Sequence, residues 1–178
     1  MIPASPARRI TLTSLLSKPF CSMKNIGIIG LGTPLRRDDG IGIVLLELLV
    51  KRKKEFPKNI EFIDGGTGGM NLLHLLARFD TVLLIDAVDF KGRPGESRLF
   101  TLDEIQSQKV PVLMSTHGSD FVQVLHLSKK LKELPTQLYI FGIQPEDISH
   151  GTGLSKDVES LLGHLYKKLT QEIQALVR

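Results

Sequence analysis

The chain has 178 residues, a formal net charge of +4, 42% hydrophobic and 24% charged residues. This is the size and balance of one soluble globular domain with a sizeable core, and the charge is too mild for a dedicated nucleic-acid binder. No apolar run reaches the roughly 18 residues of a membrane span, and the single cysteine, Cys21, excludes an internal disulfide framework and a multi-cysteine metal site.

Residues 1–23 carry Arg8, Arg9 and Lys18, several Ser and Thr, and no acid. Such a composition can belong to a transit peptide. The favoured reading is a disordered extension, or an upstream start with Met23 as the working one. The expected single α/β domain then runs from 24 to 178, in a reducing compartment and hence the cytoplasm.

From residue 26 strand and helix patterns alternate. "IGIIGL" is a short apolar run closed by Gly32 and Pro34, which predicts a buried strand over 26–31. "DGIGIVLLELLVKRKK" has helical length, with Asp38 or Asp39 placed to cap it and the lysine run favourable at its C-terminus. "IEFID" predicts a strand over 60–64, followed by the glycine cluster "GGTGG" and the helical pattern "MNLLHLLARF". "TVLLID" is the clearest central strand, over 81–86. After the turn signal "KGRPGE", "SRLFTL" reads as an added edge strand, and "GSDFVQVLHLSKKL" as a helix opened by Ser119 or Asp120. "QLYIFGI" is a last strand, and residues 155–177 read as one long amphipathic helix. This alternation predicts a three-layer α/β/α sandwich with a mainly parallel sheet.

Ligands of such sheets bind beyond the carboxyl ends of the strands. Asp38 and Asp39, Asp64 and Asp86 fall at or just after three of those ends, and "STHGSD" places His117 in a loop before a helix. Singly, each has a plain reading as a helix cap or a turn-bonding group. Together they form a candidate site. Carboxylates with an imidazole suit nickel or zinc, and adjacent carboxylates could instead share a proton. "GLG" at 30–32 is an incomplete nucleotide fingerprint, and the two acids beside it would repel phosphate. His74, His126 and His164 read as packing or surface residues; His150 lies in the loop after "QPED", where it could stand near a substrate groove, and is not counted among the site residues.

"GLGTPLRRDDGIG", "DGGTGGMNLL", "LLIDAVDFKGRPGE", "STHGSD" and "GIQPE…GTGLSKDV", in that order, resemble the nickel–iron hydrogenase maturation endopeptidases from Lys24 to Arg178. The chain departs from the family's common pattern at Thr33, where Asn or a similar residue is usual. The resemblance implies a compact α/β/α enzyme of the phosphorylase/hydrolase type. Its reaction would clip a C-terminal extension from the precursor of a hydrogenase large subunit once nickel is in place. It implies metal contact through Asp39, Asp86 and His117, with nickel carried by the substrate. Asp39 and Asp86 would also be candidates for water activation, and Asp38 would support its neighbour. Asp64, Gly65, Gly66 and Thr67 would form a substrate-binding loop. The precursor is the expected partner, with no nucleic acid or membrane, and a monomer is the expected state. Two other readings stand beside this one: a zinc hydrolase with a permanent ion at the same residues, and a non-catalytic binder of the precursor.

Overall fold

The computed structural model describes residues 24–106 and 118–177. Within them five strands form one sheet: β1 (Ile26–Gly30), β2 (Ile60–Asp64), β3 (Thr81–Ala87), β4 (Ser97–Thr101) and β5 (Gln137–Ile143). Their spatial order is β2-β1-β3-β5-β4. All neighbours are parallel except β4, which runs antiparallel along β5 as the expected edge strand. The strand order reverses between β1 and β3, and this switch point is where open α/β sheets leave a crevice for ligands.

Alternation along the strands divides the core in two. Ile29, Val82, Leu84, Leu138 and Ile140 pack against α2 (Asn71–Leu76) and α4 (Gly118–Leu131). Ile28, Leu83, Ile85, Phe141 and Ile143 pack against α1 (Ile41–Lys51) and α6 (Leu162–Leu176) on the other face. β3 is buried at all seven positions, as a central parallel strand covered on both sides must be. This is the three-layer α/β/α sandwich with a mainly parallel sheet that the alternation predicts.

Several element bounds differ from the sequence reading. The first helix starts at Ile41, after a 3-10 turn over Arg37–Gly40, and neither Asp38 nor Asp39 caps it with its side chain. A short helix α3 (Leu102–Gln106), not expected, follows β4 directly. The terminal helix is two: α5 (Lys156–Ser160) and α6, separated at Leu161, whose N–H donates to Val158 O in a tightened turn. His74, His126, His150 and His164 are all exposed. Residues 1–23 and the 107–117 stretch with His117 lie outside the described residues, and so do the side chains of Ser119 and Asp120. No helix among the described residues is long and apolar enough to cross a membrane.

Candidate active site

The turn after β1 is shaped by two close approaches. Gly32 has φ +111°, and a Cβ there would sit 1.8 Å from Asp39 O. At Gly42 a Cβ would lie 2.2 Å from Ile85 O and 2.3 Å from Leu31 O. Glycine at these positions therefore lets the start of α1 press onto the ends of β1 and β3. That contact carries Asp39 against Asp86, the penultimate residue of β3.

Asp39 is fully buried. Its Oδ2 accepts the backbone N–H of Thr33 at 2.9 Å, while Oδ1 is buried with no hydrogen-bond partner among the described residues. The contact comes from the Thr33 main chain, so any residue except proline at this position supplies it. Asp86 is 5% exposed and accepts the N–H of Ala87 through Oδ1 at 2.8 Å. Burial, and then the neighbouring Asp39 charge, push its pKa up to about 8, against which the Ala87 N–H pulls downward. Two buried carboxylates thus share a site that accommodates one negative charge more readily than two.

Asp38 points the other way. Its fully buried carboxylate accepts the N–H groups of Glu146 (2.9 Å), Asp147 (3.0 Å) and Ser155 (2.7 Å) and the Ser155 hydroxyl (2.8 Å). Ser155 stands at the N-cap position of α5, yet it spends its hydroxyl on Asp38 and makes no cap bond. Main-chain bonds complete the junction: Arg37 N–H to Gly151 O, Gly151 N–H to Leu35 O and Asp38 N–H to Asp147 O. Arg37 is held there at φ +46°, uncommon outside glycine, with Nε 3.1 Å from Asp147 Oδ2 in an ion pair. The loop carrying Asp39 is in this way tied to the loop after β5.

The glycine loop divides its labour. Asp64 is exposed and its Oδ1 accepts the Gly66 N–H at 2.8 Å, an Asx turn. Gly65 N–H donates to Gly30 O and Gly66 O accepts from Gly32 N–H, which fasten the loop to β1. Thr67, Gly68 and Gly69 line a pocket with Leu72, Leu84, Phe121, Ile140 and Asp86. Its free volume of about 20 Å³ is room for roughly one water molecule.

Asp38, Asp39 and Asp86 are thus brought to one sheet edge, with the glycine loop beside them and Asp64 at its outer side. Among the described residues no group of three or more His, Cys, Asp or Glu side chains is arranged to hold a metal ion. The orphaned Asp39 oxygen beside Asp86 is nevertheless an acceptor pair suited to a cation. Sequence reasoning passed over Ser155 and Gln144. The Gln144 carbonyl oxygen accepts the N–H groups of Phe90 and Gly92, and its amide donates to Asp89, bracing the loop after β3. Both residues lie within the motif "GIQPE…GTGLSKDV", the only signal that could have found them.

A family model described as hydrogenase maturation protease matches residues 44–172. The hydrogenase expression/formation protein HoxM of Azotobacter vinelandii is 34% identical over 78% of this chain and 67% of its own length. The hydrogenase 2 maturation protease of Escherichia coli is 32% identical over 76% of this chain and 82% of its own. Among solved structures, the hydrogenase maturating endopeptidase HybD from E. coli superposes with a TM-score of 0.73 at 26% identity, covering 85% of this chain and 93% of that one. With its sheet order, its switch-point acids and these relatives, the chain belongs to the hydrogenase maturation protease family, hydrolases that act on peptide bonds.

Proposed function

We propose that this protein removes a C-terminal extension from the large-subunit precursor of a nickel–iron hydrogenase, and that nickel already seated in the precursor is what it recognises. The observation that carries this reading is the Asp39–Asp86 pair, two buried carboxylates with one oxygen left unpartnered. A cation brought by the substrate relieves both the missing partner and the crowding of charge. His117 supplies the third contact, and carboxylates with an imidazole suit nickel. Three ligands are sparse for a resident structural ion, so the metal travels with the precursor. With the precursor docked, the peptide bond to be cut lies beside Asp39 and Asp86. Once the arriving cation has released the proton that Asp86 holds in the free enzyme, either carboxylate can take one from the attacking water. Asp38 holds the Asp39 turn in place, and Asp64, Gly65 and Gly66 hold the loop whose Thr67, Gly68 and Gly69 receive the extended peptide. The enzyme works as a monomer in the cytoplasm.

The test is cleavage of nickel-loaded and nickel-free precursor, followed by mass spectrometry, with Asp39→Asn, Asp86→Asn, His117→Ala and Asp64→Ala alongside the parent. Loss of a C-terminal peptide from the loaded precursor alone is expected, slowed at least about 100-fold by the first three substitutions. Equal cleavage of both forms by a protein purified with stoichiometric zinc would establish the zinc hydrolase instead. Binding without any cleavage would establish the non-catalytic binder. Full activity in Asp64→Ala would remove the loop's assigned role.

A further inference from the structure

Large apolar side chains standing singly in solvent need no explanation. Those at this site differ in where they stand and how they are held. Leu35 (66% exposed) and Met70 (56%) are the two most exposed large apolar residues among those described, and Ile148 is exposed as well. All three lie on loops at the carboxyl edge of the sheet. Leu35 follows the turn after β1, Met70 follows Gly69 of the pocket lining, and Ile148 is in the loop that binds Asp38.

They are also fixed. Leu35 O accepts the Gly151 N–H at 3.0 Å, the Arg36 N–H donates to Thr33 O at 3.1 Å, and Arg36 Nε donates to Ile148 O at 3.1 Å, joining the two loops directly. Met70 is held at the start of α2, its carbonyl accepting the Leu73 N–H. These bonds fix the main chain from which the apolar side chains project, so a partner that covers them need not order the loops as well. Asp39 and Asp86 are recessed between these loops, so a protein that reaches them must come up against the rim.

We infer that Leu35, Met70 and Ile148 form an apolar rim on which the folded body of the hydrogenase precursor docks while its C-terminal segment enters the site; this rests on the function proposed above. The partner surface it fits is an apolar patch on that precursor, next to the segment to be cut. Other exposed apolar residues, Val50 and Leu131, stand near or at the C-terminal ends of α1 and α4, at the far end of the sheet, and serve as controls.

The experiment titrates fluorescently labelled, nickel-loaded precursor and follows its cleavage in parallel. It compares the parent, Leu35→Asp/Met70→Asp, Leu35→Met/Met70→Leu and Val50→Asp/Leu131→Asp, each shown by thermal melting to be folded. The acidic rim variant should raise Kd and KM roughly tenfold or more, with kcat at saturation within about twofold of the parent. The apolar swap and the control should match the parent. Parent-like binding by the acidic rim variant, or equal weakening in the control, overturns the rim while leaving the proposed function standing. A parent protein that neither binds nor cuts the precursor overturns the proposed function and the rim with it.

Discussion

Among the described residues Asp86 is the carboxylate whose ionisation the fold displaces furthest. Unfolded, it ionises near the ordinary carboxylate value of 3.8; folded, burial and the Asp39 charge hold its proton to about pH 8. Between those values the folded state binds the extra proton, so this group makes stability fall as pH rises and level off beyond about 8. Asp86→Asn keeps an acceptor for the Ala87 N–H and removes the titration. It should match the parent near pH 4 and be more stable by on the order of 5 kcal/mol at pH 8, as read by urea denaturation at stepped pH. A parent-like slope in the variant would locate the titration elsewhere. The position of this acid was legible in "TVLLID", because an apolar strand that ends in a carboxylate delivers it to the ligand edge. Its raised pKa was not, since that depends on Asp39 arriving from another element.

At the level of elements, the junction between the Asp38 turn and the loop after β5 decides how firmly Asp39 is held. Asp38 reads from sequence as a helix cap, and the reading fails because α1 begins at Ile41, so Asp38 and Asp39 both fall within the preceding 3-10 turn. No local pattern reveals that the true partner is Ser155, which stands at the N-cap position of α5. Both residues are of cap type, and each instead satisfies the other across the fold. Ser155→Ala removes one donor from a buried charge and should cost on the order of 1–3 kcal/mol. Asp38→Ala, which strands several N–H groups, should cost more, about 3–5 kcal/mol. Additive effects in the double variant, measured by chemical denaturation, would show that the two side chains do not act as a pair. Ser155→Thr, which keeps the hydroxyl, should recover much of the loss.

For the molecule as a whole, the alternation of periods was enough to read the layers and the parallel sheet, because each pattern answers to burial on one or both faces. Strand order was not readable: it is set by crossovers, and nothing in "IGIIG" says that it lies between β2 and β3. Apolar packing closes both faces of the sheet, so the fold should not depend on a metal ion. Thermal melting with and without a chelator should superpose, and a drop in Tm with chelator would mean that a resident ion supports the fold. The Asp38–Ser155 contact has a further meaning in time. It closes a separation of 117 residues, the kind of contact whose loop entropy delays it until the intervening sheet exists. A chain still being synthesised, or cut short before Ser155, can offer Asp38 only the Glu146 and Asp147 amides, and its Asp39 turn stands on a half-finished support. The support beneath Asp39 is therefore completed only after the segment through Ser155 has been made and has packed back onto the first strand's turn.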